Sequence, residues 1–453
     1  MFSTVLIANR GEIALRVART CREMGIRTVA VCSTADEESA VTGFADSVVR
    51  IGPAAPRRSY LSAPAITEAA LQTGAEAVHP GYGFLSEDPD FAEICEAGGL
   101  TFIGPPADVM ARLGDKAAAR RIMSEAGLPV LPGTDATGAA AAEAKRMADA
   151  VGYPLMIKAV AGGGGRGMTP VRGPREFVRA YRETRAAAKS LFGDGRVYLE
   201  RLVEPARHIE VQVLCDRHGN GVHLGERDCS VQRRHQKLVE ETPAAGVDRA
   251  MTERMCEAAV TGALACGFTG AGTFEFLVDG DDFHLMEINC RIQVEHPVTE
   301  MVTGIDLVRE QIRIAAGLPL GFAQDEVRRH GAAIECRVNA EDPERGFAPA
   351  PGTLTAFRPP GGPFTRVDTD AYQGRRVPPH YDSLIAKVVT WGPDRDAAVA
   401  RMDRALGEFT VGGPGVHTTT GLLRKVIGEP RFRRAEHTTA LLREMHLGDS
   451  QGE

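Results

Sequence analysis

The spacing of apolar residues changes several times along the chain, and each change predicts a different element. Val5-Leu6-Ile7-Ala8 is a short unbroken apolar run, as expected of a strand covered on both faces. After Asn9-Arg10-Gly11, the residues Ile13, Val17, Cys21 and Met24 recur at helical spacing up to Gly25, a natural helix end. Thr28 to Cys32 reads as a second strand. Further apolar pieces at Ala77 to His79 and Thr101 to Gly104 are separated by helical segments. This alternation predicts an α/β domain with a parallel sheet, ending near residue 114.

From Asp115 the chain becomes alanine-rich, almost featureless over Ala136 to Ala150, and is stopped by Gly152-Tyr153-Pro154. The pattern predicts a small helical subdomain. A strand-loop-helix unit follows, with strand Leu155 to Ile157 and a helix from near Pro174. Period-two alternation then appears at His208 to Leu214, turning at Asp216 to Gly221, and at Thr273 to Val278, turning at Asp279-Gly280 into Phe283 to Ile288. Past residue 330, strands are predicted at Ala333 to Val338, Thr353 to Phe357 and Leu384 to Thr390, around the loop Pro359-Pro360-Gly361-Gly362-Pro363. Helices Asp394 to Phe409 and Val416 to Ile427 complete a mixed α+β part, and no internal repeat is visible.

Composition narrows the class. With 43% hydrophobic and 25% charged residues in 453, the sequence suits a multidomain globular protein and neither a disordered chain nor a fibre. A net charge of -7 disfavours nucleic acid as a partner. The N-terminus lacks a signal-peptide pattern, and no run of about 18 apolar residues predicts a membrane span. The nine cysteines have no metal-ligand spacing, so free thiols in a cytoplasmic setting are expected. Only seven of the 53 cations are lysines, which makes each lysine a candidate for a task needing a compact ammonium.

The run Gly162-Gly163-Gly164-Gly165-Arg166-Gly167 fails as a Walker A loop, because Met168 stands where lysine is required. It fits a dinucleotide pattern only because nearly any glycine pattern would fit. A flexible linker is the bland reading. Lys158, at the end of the strand entering the run, favours a phosphate-covering lid instead. In the hairpin Thr273 to Asn289, Glu287 and Asn289 share a face. With the turn centred between Gly280 and Asp281, Glu275 falls opposite Met286, and a bulge would align it with Glu287. Two carboxylates and an amide oxygen suit Mg²⁺; a solvated acidic face is the alternative. Alternation also puts Arg291, Gln293 and Glu295 together, either as an anion site with a nearby base or as a plain salt bridge. Arg233-Arg234-His235-Gln236-Lys237 reads as a solvated face, a nucleic-acid patch or the lining of an anion cleft, and the acidic balance of the chain favours the cleft.

These segments resemble the biotin carboxylases of the ATP-grasp superfamily over essentially the whole chain. The resemblance rests on Ile7-Ala8-Asn9-Arg10-Gly11-Glu12-Ile13-Ala14, on His79-Pro80-Gly81-Tyr82-Gly83-Phe84-Leu85-Ser86-Glu87 and on the glycine run. It rests equally on Glu226 through Lys237 and on Met286-Glu287-Ile288-Asn289-Cys290-Arg291-Ile292-Gln293-Val294-Glu295-His296-Pro297. It implies a Rossmann-like pre-ATP-grasp domain (1–114), an ATP-grasp domain (115–330) with a lid over about 131–203, and a mixed α+β C-terminal domain (331–446).

The same resemblance implies site residues. Lys116 and Lys158 would hold ATP phosphates under a lid containing Gly164 and Gly165. Glu200, Arg201, Leu202 and Val203 would form the adenine edge, with His208, Gln232 and His235 beside the ribose. Glu275, Glu287 and Asn289 would bind Mg²⁺ or Mn²⁺. Lys237, Arg291, Gln293 and the Val294 amide would bind bicarbonate, with Glu295 as its base. Arg337 would stabilise the biotin ureido oxygen, and Tyr82 belongs to the same substrate set.

The implied activity is ATP-dependent carboxylation of biotin through carboxyphosphate, the first half-reaction of an acetyl-CoA carboxylase that supplies malonyl-CoA for fatty acid synthesis. Propionyl-CoA or pyruvate systems stay open as final acceptors. No lysine has a biotinylation context, so a separate biotin carboxyl carrier protein and a carboxyltransferase are expected partners. A homodimer is also implied, with Arg19 and Glu23 at interface positions. Cys290 and Thr169 depart from the family's usual threonine and arginine; a packing change and a small effect on lid closure are expected. Another ATP-grasp ligase, an inactive carrier-binding scaffold and a nicotinamide dehydrogenase are the competing readings.

Overall fold

The computed structural model describes residues 1–161 and 167–446, so the lid glycines Gly164 and Gly165 lie outside the described residues. At the N-terminus, strands β1 (Thr4–Ile7), β2 (Arg27–Ser33), β3 (Ser47–Gly52), β4 (Ala77–His79) and β5 (Thr101–Phe102) form a parallel sheet in the order β3-β2-β1-β4-β5. The parallel α/β expectation is met. The one strand it omitted, β3, is an edge strand with alternate residues exposed, which leaves no apolar run to read. Helix Gly11–Glu23 buries Ile13, Val17 and Cys21 against Val5 and Ile7.

The strand order reverses between β1 and β4, and a crevice at the carboxyl ends of strands is where open α/β sheets place ligands. Both N-terminal motifs sit there. The Asn9 amide donates to the carbonyls of Pro80 at 2.7 Å and Tyr82 at 2.8 Å, tying the two loops together. Gly81 has φ +63, and a Cβ there would meet Asn9 Nδ2 at 3.0 Å, so both its conformation and its surroundings call for glycine.

The alanine-rich region corrects the sequence expectation of a helical subdomain. Strands β6 (Gly133–Asp135), β7 (Leu155–Ala159), β8 (Met168–Val171) and β9 (Val197–Arg201) form an antiparallel sheet in the order β6-β9-β7-β8. Helices Ala141–Val151 and Phe177–Phe192 pack on it around Ala144, Ala148, Leu155, Ile157, Phe177 and Tyr181. Two strands gave no periodic signal: β6 is Gly-Thr-Asp, and β8 contains Pro170. A strand, not a helix, therefore follows the glycine run, and the helix begins at Phe177.

Eight strands build the central sheet. In spatial order they are β14 (Asp282–Asn289), β13 (Gly270–Asp279), β10 (Arg207–Cys215), β11 (Gly221–Arg233), β12 (Gln236–Thr242), β15 (Ala332–Asn339), Leu384–Gly392 and Thr365–Thr369. The pair β12/β15, with Glu240 opposite Glu335, carries this sheet continuously across residue 330. One face buries Ile209, Val211, Val213, Phe274 and Phe276 against Met255 and Ala259 of helix Arg249–Ala265. Alternation turns Glu210, Gln212 and Glu275 to the other face.

In the C-terminal part, Thr353 to Phe357 splits into Gly352–Thr353 and Ala356–Arg358, and the last long helix starts at Thr420, not Val416. The intervening Thr410–Gly412 is a strand paired with Ala356–Arg358. The strand Thr365–Thr369, to which the sequence pattern assigned no element, lies at the sheet's edge. All nine cysteines are free and buried, and no helix among the described residues is long and apolar enough to cross a membrane.

Candidate active site

The polar face of the central sheet and the loop that follows β14 meet around one ammonium. Lys237 Nζ, on β12, lies 2.5 Å from Glu210 Oε2, 2.9 Å from Glu275 Oε1, 2.7 Å from Glu295 Oε1 and 3.2 Å from Gln293 Oε1. Burial alone would lower its pKa, but Glu210, Glu275 and Glu295 hold it well above the ordinary lysine value. Position 237 reaches this point through a tight hairpin. Arg234 and His235 both have positive φ (48 and 65), the signature of a two-residue type I′ turn between β11 and β12. His235 therefore sits exposed at the tip, while Gln232 pairs with Lys237 inside.

Glu295 is gripped from two sides. Its Oε1 meets Lys237, and its Oε2 lies 2.8 Å from an Arg337 nitrogen. Burial opposes its ionisation, yet Lys237, Arg337 and Arg227 hold the carboxylate well below the usual range. The other Arg337 partner is Glu240, 2.6 Å from Nε; burial pushes this carboxyl up to about 7 despite the guanidinium.

The hairpin β13/β14 contains a register shift of the kind that aligns its two carboxylates. Glu275 pairs directly with Glu287, and the irregularity falls between Glu275 and Phe276. Glu275 accepts from Lys237, from Asn289 Nδ2 at 2.9 Å and from Gln293 Nε2 at 2.7 Å, and lies 2.8 Å from His208 Nε2. Burial would raise its pKa, but Lys237 and His208 hold it well below the normal carboxylate value. Glu287 is half-exposed, with Lys116 3.9 Å away. Two cross-strand carboxylates and the Asn289 amide oxygen form a hard-oxygen donor set on one face, which fits Mg²⁺ or Mn²⁺.

Lys116 and Lys158 flank this set. Asp115 caps the helix that starts at Lys116, accepting from the Ala117 and Ala118 amides at 3.0 and 2.9 Å. Burial lowers the Lys116 pKa, whereas Lys158 is held above its ordinary value by Glu200 after burial has opposed it. Glu200 pairs with Lys158 and, at 2.8 Å, with Arg120. The Arg201 and Leu202 amides already donate to the carbonyls of Pro132 and Pro154 at 2.8 and 3.0 Å. Those two amides are engaged inside the protein, and among the described residues no such bond involves the Val203 amide. His208 and Gln232 are in contact, and Gln232 also donates to the Cys229 carbonyl at 2.8 Å.

Arg291 departs from the simple alternation. The chain leaves β14 at Asn289, and residues 290–295 form a loop. Arg291 Nε lies 2.9 Å from Glu87 Oε2, and its NH2 donates to Asn289 Oδ1 at 3.0 Å. The salt bridge formed by Arg291 is thus with Glu87, not Glu295. Glu87 also accepts from the Cys290 amide at 2.9 Å. Cys290 itself is buried in the core, and Thr169 is hydrogen-bonded to Thr184 at 2.6 Å. Tyr82 donates its hydroxyl to Glu12.

Three family descriptions match, in chain order: "Biotin carboxylase, N-terminal domain" over residues 1–110, "Carbamoyl-phosphate synthase L chain, ATP binding domain" over 115–323, and "Biotin carboxylase C-terminal domain" over 335–444. A biotin carboxylase from Nostoc sp. is 50% identical over 446 residues, covering 98% of this chain and 99% of the relative. The chain belongs to the biotin carboxylase family. A second relative, a pyruvate carboxylase subunit from Methanothermobacter thermautotrophicus, is 49% identical over 99% of this chain and 91% of its own length. The biotin carboxylase domain dimer of Hydrogenobacter thermophilus 2-oxoglutarate carboxylase, solved with MgADP and bicarbonate, superposes with a TM-score of 0.95 at 46% identity, covering 100% of both chains.

For this biotin carboxylase fold, sequence reasoning overlooked several buried partners. Arg227, with no exposed surface, lies 2.5 Å from Glu210 and donates to Gln212 at 2.9 Å and Thr299 at 3.0 Å. Glu210 was legible only as a polar residue inside an apolar strand, between Ile209 and Val211. Glu87 and Glu240 gave no separate signal, since their partners lie 204 and 97 residues away in sequence.

Proposed function

We propose that this chain catalyses the ATP-dependent carboxylation of biotin carried on a separate protein. The observation that carries the reading is the clamp on Glu295, a buried anionic base held between the Lys237 ammonium and the Arg337 guanidinium. Bicarbonate is a poor electrophile until one oxygen is phosphorylated. Lys237, Arg291, Gln293 and the Val294 amide are assigned to hold it, and Glu295 takes its proton as the oxygen attacks the γ-phosphorus and ADP leaves. Lys116 and Lys158 orient the phosphates under the lid that includes Gly164 and Gly165. Glu275, Glu287 and Asn289 would hold Mg²⁺, which neutralises charge on the phosphates when bound.

Carboxyphosphate then breaks at its C–O(P) bond to CO₂ and phosphate. Arg337 steadies the negative charge that develops on the ureido oxygen as its nitrogen passes its proton to the released phosphate and attacks CO₂, with Tyr82 in the same substrate region. His208, Gln232 and His235 are assigned to the ribose side, and the Glu200 to Val203 segment to adenine. Domain limits at 114 and 330 follow the same reading.

The setting we assign is the first half-reaction of an acetyl-CoA carboxylase, with a biotin carboxyl carrier protein and a carboxyltransferase as partners. A pyruvate carboxylase setting is the second reading, favoured by the Methanothermobacter relative. A homodimer with Arg19 and Glu23 at its interface fits their exposure four residues apart on one helix. The reading is tested with ¹⁸O-labelled bicarbonate. Transfer of one label into inorganic phosphate is expected, and label-free phosphate from a turning-over enzyme contradicts the carboxyphosphate step.

A further inference from the structure

Lys387 is one of the seven lysines, and neither the ATP site nor the bicarbonate set uses it. It has no exposed surface. A buried ammonium is retained where its protons find partners, and the two nearest here lie on different segments, with Asp368 at 4.0 Å as a more distant carboxylate. Nζ donates to the Val294 carbonyl at 2.8 Å and lies 3.0 Å from Glu12 Oε1. Glu12, at the start of the first helix, receives the Tyr82 hydroxyl as well.

The acceptor's position matters more than the number of contacts. The Val294 carbonyl belongs to the peptide joining Val294 to Glu295, so fixing its oxygen fixes the plane from which the Glu295 side chain departs. The rest of this loop is held by Glu87 at the Cys290 amide and by the His296 ring, whose Nδ1 lies 2.7 Å from the Gln293 carbonyl. Burial, reinforced by Lys387, keeps His296 well below the ordinary histidine pKa. The neutral ring therefore donates through Nδ1. Lys387 approaches from the C-terminal strand Leu384–Gly392, where it stands opposite Arg337.

We propose that Lys387 is a positioning residue for the carboxylation site: it orients the Val294–Glu295 peptide, and through Glu12 registers that loop against Tyr82 on the N-terminal domain. The inference rests on the bicarbonate role assigned above to the Val294 amide and Glu295. A compact ammonium suits the task, since a planar fork is larger and this side chain is fully enclosed.

The test uses the full-length enzyme with Lys387→Met and the double variant Lys387→Met/Glu12→Gln. In the double variant Glu12 is neutralised, its replacement can still accept from Tyr82, and Asp368 keeps Arg366 at 2.7 Å. If Lys387 positions the loop, the double variant folds and its MgATP KM stays within about twofold. Its bicarbonate KM rises and its kcat falls, together about 10- to 100-fold in kcat/KM. Recovery of wild-type bicarbonate kinetics in the double variant shows that Lys387 only balances Glu12, and overturns the proposal. So does loss of folding, or equal damage to MgATP and bicarbonate kinetics, because either makes it a packing residue. Wild-type enzyme without bicarbonate- and biotin-dependent turnover in the same assay refutes the underlying function instead.

Discussion

Arg337 holds the oxygen of Glu295 that Lys237 leaves free, at 2.8 Å. One carboxylate thus links the ammonium assigned to bicarbonate with the guanidinium assigned to biotin, and the two half-steps share a single fixed charge. Preorganised charge of this kind costs no rearrangement at the moment of reaction.

Arg337→Ala is expected to lower biotin carboxylation by about 10²–10³-fold, the usual cost of removing a group that stabilises developing charge. MgATP affinity should be unchanged. The variant should fold, because Glu240, whose carboxyl burial already pushes up to about 7, can accept a proton when its partner is removed. Carboxybiotin formation, measured beside the KM for MgATP, checks this; equal loss of both would place Arg337 in nucleotide binding.

Glu287 separates the metal role from packing. It is half-exposed and its nearest cation, Lys116, is 3.9 Å away, so Glu287→Gln should leave the unfolding temperature unchanged. The Mg²⁺ concentration needed for half-maximal turnover should rise about tenfold or more. Chelation should abolish turnover, with Mg²⁺ or Mn²⁺ restoring it. An unchanged metal requirement would mean that the acidic face is only a solvated surface.

His79 gives a pH dependence of known sign. It is fully buried, its Nδ1 accepts from the Gly81 amide at 3.1 Å, and burial lowers its pKa to about 4 from 6.5. The unfolded chain therefore binds the extra proton first as pH falls. Stability from this group is complete above about pH 6.5 and declines toward pH 4, by roughly 3 kcal/mol across the window. His79→Gln should flatten the fall of unfolding temperature between those pH values; a profile identical to wild type would assign the acid sensitivity to other groups.

How much of this was legible depended on whether neighbours in space were neighbours in sequence. The parallel sheet, the β13/β14 hairpin and its acidic face could be read, because strand periodicity and a local turn carry them. Counting residues across Gly280 and Asp281 put Glu275 opposite Met286, one position from Glu287, and the bulge beside Glu275 supplies the missing step. The antiparallel sheet under the alanine-rich helices was missed because Gly133-Thr134-Asp135 and Met168 to Val171 contain no alternation. Arg291 was placed beside Glu295 by extending strand alternation past Asn289, where the strand ends; its partner, Glu87, comes from another domain. The lysine count made all seven lysines candidates, the family resemblance singled out Lys116, Lys158 and Lys237, and the burial of Lys387 against Val294 and Glu12 is what led to the role proposed for it.

Biotin-dependent turnover decides the function, and it can be measured by incubating the purified protein with MgATP, bicarbonate and free biotin. Phosphate release should rise with biotin concentration above a slow background, and carboxybiotin should form in step with it. A protein that binds MgATP yet releases phosphate at the same rate with and without biotin would contradict biotin carboxylation as its activity.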